Sequence, residues 1–286
     1  MRVMSRNARE KLYFNLFRAC GGLVVLTLIV IIAYMVIGSL PVLSLDFLTE
    51  PPRRANTAGG VLTPLVGTIY LMAIVSVFAI PIGVLSAVYL SEYQGKGWAS
   101  HFWRIVVSNL AGVPSIVYGL LGLALFVTFA GLGRSLIASG LTLGVLALPI
   151  VISASREAIK AIPPSVREAS IALGATKWQT IQHHVLPYAM PGILTGVILA
   201  LSRAAGETAP ILLTGAAFFM SSMPDSIFSQ FMALPYHVYA VATQTMAGMN
   251  GSPVVYGAAI VLLILVIGMN LIAIVVRKKY REKYRW

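Results

Sequence analysis

Residues 19–45 read ACGGLVVLTLIVIIAYMVIGSLPVLSL and contain no charged side chain. A helix that crosses the hydrocarbon core of a bilayer needs roughly 20 apolar residues, and this run is longer than that. Further charge-free runs of sufficient length cover residues 55–91, 105–133, 135–155, 178–202 and 226–276. Because 58% of the residues are hydrophobic and 10% are charged, a polar surface cannot cover a single soluble core.

These runs predict an all-α fold, a polytopic transmembrane helical bundle that is surrounded by membrane lipid. Six spans are expected near residues 19–40, 64–90, 105–130, 135–155, 191–217 and 255–276. The first run is longer than a signal-peptide core and lacks an Ala-x-Ala cleavage pattern, so we expect it to stay as an uncleaved anchor.

The formal charge of +12 comes from basic residues that cluster at the edges of the spans. A nucleic-acid surface would spread them over a folded, water-facing domain, so no nucleic-acid partner is predicted. Both termini are expected to be cytoplasmic by the positive-inside rule, since the external connections carry only Arg53, Arg54 and Arg134. The predicted organisation is a basic segment at 1–18, a permease domain at 19–276 with its core at 64–276, and a basic tail at 277–286.

The cytoplasmic connection at 156–190 mixes charged residues with helix signals. Ser165-Val-Arg-Glu168 has the pattern of a capping box, which predicts a helix from there through Leu173, ended by Gly174. Thr176-Lys-Trp-Gln179 has the same pattern and predicts a second helix that ends before Pro187. Two short helices around a glycine corner fit either a solvated connector or a stiff lever that continues into the fifth span.

His183 and His184 in this connection are candidate metal ligands, because histidine is the commonest metal ligand. Adjacent residues on a helix point about 100° apart, and no acidic or cysteine partner lies at ligand spacing. We therefore predict no metal site and no cofactor.

The fifth predicted span carries Ser202-Arg203-Ala-Ala-Gly206-Glu207-Thr208-Ala-Pro210. Arg203 lies about 18 Å into a helix that starts at Pro191, at 1.5 Å per residue, which is near the midplane of the membrane. Arg203 and Glu207 share one face and neutralise each other in the simpler interpretation, as an ion pair that joins spans. In the alternative, Arg203 binds an anion in transit, because its planar donors match an oxyanion and a buried charge in a membrane is by default functional.

Prolines interrupt four predicted spans, at Pro81, Pro114, Pro149 and Pro210. Each removes a backbone donor, which indicates kinked helices. The third span, with Gly112-Val-Pro-Ser-Ile-Val-Tyr-Gly119, is the best candidate for a break that serves an anion pathway, because Gly112 and Pro114 would divide it into half-helices. Ser115 and Tyr118 would then offer hydroxyl groups to an anion, although small residues here also suit close helix packing. Gly140 and Gly144 favour packing.

One stretch of the cytoplasmic connection resembles a known family. Glu168-Ala-Ser-x-x-x-Gly174, followed by His184-Val-Leu-Pro187, resembles the EAA loop of ABC-type importer permeases, whose first helix docks in a groove of the ATPase. Ser170 replaces the second alanine of that motif, and His184 stands where an aliphatic residue is common. The resemblance implies a type I ABC importer permease in which the coupling residues are Glu168, Ala169, Leu173, Gly174, Leu186 and Pro187.

The stretches around Pro114 and Arg203 together resemble the permease subunits of the high-affinity phosphate importer. Gly67-Thr-Ile-Tyr70 after Gly59-Gly60, and Leu234-Pro-Tyr-His-Val-Tyr239, are similar to the PstA type rather than the PstC type. The resemblance covers about residues 59–276 and implies half of a phosphate pathway in a bacterial inner membrane. The pathway residues that it implies are Arg203, Glu207, Ser115, Tyr118 and Thr208.

The sequence has no G-x-x-x-x-G-K-[ST] motif, so the chain is not expected to be an enzyme, and ATP hydrolysis must come from a partner. The resemblance implies PstB-like ATPase subunits, a PstC-like permease and an external PstS-like phosphate-binding protein. Residues 218–254 are expected outside, as a surface for a partner or a plug over the pathway. Two alternatives stay open: a permease for sulfate or molybdate, and an ion-coupled secondary transporter, which would usually be longer and show inverted repeats.

Overall fold

The structure is a computed structural model that describes residues 6–54, 56–95, 97–220, 222–245 and 252–283. Its helices are α1 (Arg6–Ser39), α2 (Leu45–Thr49), α3 (Leu62–Val88), α4 (Trp98–Ala111), α5 (Ser115–Gly122), α6 (Leu136–Lys160), α7 (Pro164–Ala172), α8 (Lys177–Thr180), α9 (Leu186–Gly206), α10 (Ala209–Thr214), α11 (Leu234–Gln244) and α12 (Pro253–Lys283). π-Helical segments follow α3, α5 and α8, at Tyr89–Tyr93, Leu123–Phe129 and Ile181–Val185. A small antiparallel hairpin, β1 (Pro52–Arg53) and β2 (Ala58–Gly59), pairs Pro52 with Gly59.

The predicted all-α membrane fold is confirmed. Five helical stretches of the described chain are long and apolar enough to cross a membrane, namely Glu10–Ser39, Leu62–Tyr93, Leu136–Lys160, Lys177–Gly206 and Pro253–Lys283. The predicted third span is not one straight helix, because the chain turns by 102° between His101–Ala111 and Ser115–Phe129. Only if this bent pair counts as one span does the described chain reach six.

The bend in the third span lies at Gly112-Val113-Pro114, as the sequence indicates. Pro114 has φ −57° and ψ 140°, and α5 begins at the next residue. A proline lacks the amide that would continue the helix, and it drives the residue before it out of the helical region. The consequence is a pair of half-helices rather than a gentle kink.

The fifth span ends earlier than predicted, because α9 ends at Gly206 instead of continuing to residue 217. Glu207 is extended, with ψ 128°, and α10 starts anew with Pro210 in its first turn. The ring of Pro210 would clash with the carbonyl of Gly206 one turn earlier, whereas a first helical turn tolerates proline well. Pro81 and Pro149, by contrast, stay inside α3 and α6.

Helix α6 forms the middle of the core, where it contacts α3, α9 and both halves of the broken third span. Leu143, Ala147 and Val151 on α6 are completely buried. Gly140 and Gly144 lie against the side chains of Ile74 and Phe78, with no room for a Cβ atom. The prediction that these two glycines serve helix packing is therefore confirmed.

Part of the connection after α10 packs against the core of the protein. Ala216 forms a parallel bridge with Phe231, and Leu234 donates its amide to Thr68 Oγ1 at 2.8 Å. Phe231 and Leu234 are fully buried, and α11 packs on α3 and α12. The described part of 218–254 is thus divided between an exposed first half, which includes Phe228, and a second half that belongs to the core.

His237 on α11 is buried and has no protein hydrogen-bond partner for either ring nitrogen. Burial lowers its pKa to about 4, because the charged imidazolium loses its hydration. The side chain is therefore neutral at pH 7.

Candidate functional site

The two broken spans meet where their breaks lie. Helix α5 packs on α10, and Gly119 approaches the Pro210 backbone so closely that a Cβ atom at residue 119 would stand 2.9 Å from the Cα atom of Pro210. Both helices begin directly after a proline-associated break. The structure thus brings together the two stretches that the sequence picks out, although Gly119 and Pro210 are 91 positions apart along the chain.

Arg203 and Glu207 lie at the end of α9, beside this junction. Arg203 Nε donates to Glu207 Oε1 at 3.4 Å, and 45% of the arginine side chain and 17% of the glutamate side chain are exposed. The pair lies within one segment, four residues apart, so it does not join two spans as the simpler interpretation holds. One edge of the guanidinium is thus engaged, while the side chain stays accessible for a second, charge-assisted contact.

Three hydroxyl residues were predicted to accompany this pair. Tyr118 is buried, and its hydroxyl donates to the Leu110 carbonyl at 2.8 Å. That bond spans the break in the third span, so the phenol proton holds the bend instead of facing an anion. Ser115 and Thr208 are half-buried at the first residue of α5 and the N-cap of α10, and Thr208 makes no side-chain capping bond.

The sequence interpretation missed a polar contact next to Arg203. Ser202 Oγ donates to Asn270 Oδ1 on α12 at 2.7 Å and also lies 2.7 Å from the Ile198 carbonyl. Seven residues away on each helix, Arg277 donates to Thr195 Oγ1 at 3.1 Å. The two bonds hold α9 and α12 in one antiparallel register. Asn270 is the signal that could have shown this, because it interrupts the apolar run that leads to Arg277.

Asn270→Ala is expected to weaken the contact between α9 and α12 by about 0.6 kcal/mol, the mean for side-chain hydrogen bonds between membrane helices. The coupling is measured in a double-mutant cycle with Ser202→Ala, by unfolding the purified complex in mixed micelles. A cycle in which the two losses simply add would mean that the hydrogen bond contributes nothing.

The cytoplasmic connection begins differently from the prediction. Helix α7 starts at Pro164 with Pro163 as its N-cap, and no side-chain capping bond forms. The predicted capping box of Ser165 and Glu168 is therefore wrong. The fixed φ of Pro164 suits the first helical position, so the helix starts one residue early and Ser165 lies inside the first turn.

The corner between α7 and α8 agrees with the prediction in its chemistry. Gly174 has φ +88°, and the amides of Gly174 and Ala175 donate to the carbonyls of Ile171 at 2.9 Å and Ser170 at 3.2 Å. This is a Schellman end, which requires a left-handed residue that glycine adopts without a steric penalty. The capping box of Thr176 and Gln179 is also present, with both of its bonds formed.

The second helix does not end before Pro187, contrary to the prediction. Helices α8 and α9 form one stretch from Lys177 to Gly206, with the π-helical segment at Ile181–Val185 between them. Leu186 donates its amide to Ile181, five residues back, and this wider turn accommodates the proline that follows. The connection is consequently continuous with the fifth span.

The structure divides the predicted coupling residues into two groups. Glu168, Ala169, Leu173 and Gly174 are exposed around α7 and its end, with Leu173 90% exposed. Leu186 and Pro187 are half-buried, and Leu186 packs against the core, so they are not part of that surface. Two exposed apolar residues that the sequence interpretation missed, Ile171 and Trp178, belong to the same connection. Their signal is a large apolar side chain in a connection that the sequence predicts to be exposed to water.

The two departures from the EAA pattern have identifiable surroundings. Ser170 is buried and its hydroxyl bonds to that of Thr180 at 2.9 Å, which joins α7 to α8. His184 lines a cavity of about 240 Å³ beside α7, together with Val166, Leu173 and Tyr188. His183 Nδ1 lies 3.0 Å from the Gln179 carbonyl. In the part of the chain that the structure describes, no three metal-ligand side chains come together.

A further residue of this connection, Arg167, forms an ion pair with Glu92 at 2.7 Å. The sequence interpretation did not single out either residue. Seventy-five positions separate them, so no local pattern indicates the contact.

Comparison with known proteins gives consistent matches. Residues 79–281 match the family model described as "Binding-protein-dependent transport system inner membrane component". The chain is 32% identical to "Probable ABC transporter permease protein YqgI" of Bacillus subtilis (strain 168), over 94% of this chain and 95% of that protein. It is 40% identical to "Phosphate transport system permease protein PstA 1" of Mycobacterium tuberculosis (strain ATCC 25618 / H37Rv), over 77% of this chain and 70% of that protein.

Solved structures share the fold. A bacterial ABC transporter involved in the import of the acidic polysaccharide alginate superposes with a TM-score of 0.67, over 96% of this chain and 99% of that chain, at 16% identity. The MetNI methionine ABC transporter in an inward-facing conformation gives 0.61, over 76% and 94%, at 19% identity. At these identities the likeness concerns the fold alone.

Proposed function

The chain belongs to the family of binding-protein-dependent transport system inner membrane components, and from this premise we propose that it forms half of a translocation pathway for inorganic phosphate. As a permease subunit of an ABC importer it is not itself catalytic and works with an ATPase and a substrate-binding protein. The observation that carries the proposal is the Arg203–Glu207 pair at the junction of the two broken spans. Relatives named as phosphate transport permeases support the choice of substrate.

In the proposed pathway Arg203 receives the phosphate. A guanidinium offers parallel donors that match two oxygens of a tetrahedral anion. Glu207 holds the Nε edge of Arg203 and limits how tightly the anion is retained, because its own charge repels it. Ser115 and Thr208 supply further hydroxyl donors, while Tyr118 keeps the third span bent through its bond to Leu110.

Energy enters through α7. Its exposed surface, with Glu168, Ala169 and Leu173, is proposed to dock on a PstB-like ATPase on the cytoplasmic side of the membrane. A PstC-like permease would complete the pathway, and a PstS-like protein would deliver phosphate from outside. Movement of α7 reaches Arg203 along one continuous helix, from Lys177 to Gly206.

A permease for sulfate or molybdate remains the competing function, because one arginine fork accepts any tetrahedral oxyanion. Discrimination would then lie in the binding protein, which can reward a protonated anion with an acceptor. The ion-coupled alternative lacks comparable support, since the relatives are named as permeases of ABC or phosphate transport systems.

Purification in mild detergent followed by identification of co-purifying chains tests the assembly. We expect an ATPase and a second permease. Vesicles that contain this complex, ATP and the binding protein should import labelled phosphate, and excess sulfate or molybdate should not compete. A self-contained active oligomer without ATPase would contradict the class, and import of sulfate or molybdate in preference to phosphate would contradict the substrate.

A further inference from the structure

The ion pair of Arg167 and Glu92 joins α7 to the cytoplasmic end of α3. Arg167 Nη2 donates to Glu92 Oε1 at 2.7 Å, and Arg167 Nε lies 3.1 and 3.3 Å from the two carboxylate oxygens. Only 22% of the arginine side chain and 8% of the glutamate side chain are exposed. A bidentate pair that is shielded from water holds its geometry more firmly than a surface pair does.

The same guanidinium also holds the end of α6. Arg167 Nη1 donates to the Ile162 carbonyl at 2.7 Å, and Nη2 donates to the Ile159 carbonyl at 2.9 Å. The last carbonyls of a helix have no partner within the helix, and a cation there also offsets the helix dipole. One side chain therefore connects three elements: the π-helical end of α3, the last turn of α6 and the first turn of α7.

Apolar contacts also stabilise the place where α3, α6 and α7 meet. Val166, the neighbour of Arg167, packs against the core cluster that includes Ile159, Ile162 and Ile181. Two buried hydroxyl groups nearby in the chain, those of Ser91 and Ser155, have no protein hydrogen-bond partner, so they do not bridge α3 and α6. Among the described residues, Arg167 makes the hydrogen bonds that join all three elements, while Lys177 Nζ on α8 adds a contact to the same end of α3, 4.8 Å from the Tyr93 ring.

The other cytoplasmic ion pairs in the described chain differ in exposure. Lys160 and Glu157 lie 3.5 Å apart on α6 with 48% and 74% of their side chains exposed, and the values for Lys278 and Glu282 on α12 are 77% and 61%. Exposed pairs of this kind contribute little to rigidity. They provide matched controls on the same side of the protein.

We propose that Arg167 and Glu92 are the positioning residues that transmit movement of α7 to α3 and α6, an inference that rests on the proposed function. Arg167 faces inward while its neighbour Glu168 faces outward, since adjacent helical residues point about 100° apart. We call the contacts of Arg167 with Glu92 on α3 and with the end of α6 the clamp. The surface that an ATPase would push is therefore one residue from this clamp on two spanning helices. Without the clamp, α7 would move and α3 would lag behind.

The test compares phosphate imported per ATP hydrolysed in vesicles with the complete importer. Glu92→Gln removes the charge, and Arg167→Lys keeps the charge but cannot contact the carboxylate and both carbonyls with one planar fork. Both should lower the ratio at least about fivefold, the lower end of a typical coupling between two sites, while ATP hydrolysis continues. Glu157→Gln should leave the ratio unchanged, and Glu92→Asp should recover part of it.

An unchanged ratio in both variants would overturn the inference. If the unaltered importer moves no phosphate, the proposed function fails instead, so the two failures are distinguishable. If the variants do not assemble, a second measurement uses an importer with Arg167 and Glu92 intact. Spin labels are attached to Ser165→Cys on α7 and Tyr89→Cys at the end of α3, in a chain with Cys20→Ser. The distance between the labels should stay the same with and without ATP. A change in that distance would show that α7 and α3 move separately.

Discussion

Glu168→Lys is expected to abolish phosphate uptake, because it should prevent the ATPase from holding α7. Glu168 is exposed on α7, next to the half-buried pair of Arg167 and Glu92. The EAA resemblance implies that this helix docks in a groove of the ATPase, and we expect Glu168 to pair with a basic residue there. Removing one partner of an interface charge pair typically costs about 2–5 kcal/mol, which corresponds to roughly a 30- to several-thousandfold loss in affinity, and a reversed charge adds repulsion. The mutation leaves the core of the permease intact, since the side chain faces water.

The measurement is the amount of ATPase that co-purifies with a tagged permease, together with uptake of labelled phosphate. Glu157→Lys is the matched control, because Glu157 is also exposed near the cytoplasmic end of α6 but lies outside α7. Glu168→Gln should give an intermediate loss. An intact and active complex from Glu168→Lys would refute the assignment of α7 as the coupling element.

Local chemistry explains which parts of the cytoplasmic connection are predictable. The capping box of Thr176 and Gln179 and the left-handed Gly174 depend on residues within a few positions of each other, and both are found. The capping box at Ser165 fails because Pro164 starts the helix earlier, so two local signals compete and the proline prevails. The π-helical segment that precedes Pro187 depends on the packing of the whole stretch and has no local sequence pattern.

In the membrane helices, too, features set by neighbouring residues are predictable and features set by packing are not. The length of each apolar run predicts the spanning helices, and Pro114 and Pro210 mark the positions of both breaks. The size of a break is not contained in a sequence pattern, because it depends on what packs against the freed half-helix. The burial of Phe231 and Leu234 was missed for a related reason, since an uncharged connection between spans suits an external surface and a protein interior equally well.

The candidate pathway pair was predictable because a charge inside a membrane is costly wherever it occurs. Two long-range polar contacts were not predicted. Asn270 stands out as a polar residue in an apolar run, but the sequence does not say that it contacts Ser202, 68 positions away. Nothing in the sequence links Glu92 to Arg167, 75 positions away. The observed role of Tyr118, which holds the bend of the third span, depends on the position of the Leu110 carbonyl within reach of its hydroxyl, and the sequence does not show this.

Arg203→Gln is expected to lower phosphate flux by about 10- to 100-fold without loss of assembly. The change removes a charge-assisted contact to the anion, which typically contributes about 1.5–3 kcal/mol. Assembly should survive because the pair with Glu207 lies within one segment and joins no second helix. Gln also keeps most of the volume and one amide donor toward Glu207.

The flux is measured in vesicles at saturating binding protein, with co-purification of ATPase and partner permease as the check on assembly. Arg134→Gln is the matched control, because Arg134 is an exposed arginine away from α9. Arg203→Lys separates charge from geometry: it retains the positive charge but loses the planar fork, so its flux should lie between that of the unaltered protein and that of the glutamine variant. Unchanged flux in Arg203→Gln would leave the arginine as a partner for Glu207 and nothing more, and the phosphate pathway would then have to be sought along other residues of the junction between α5 and α10.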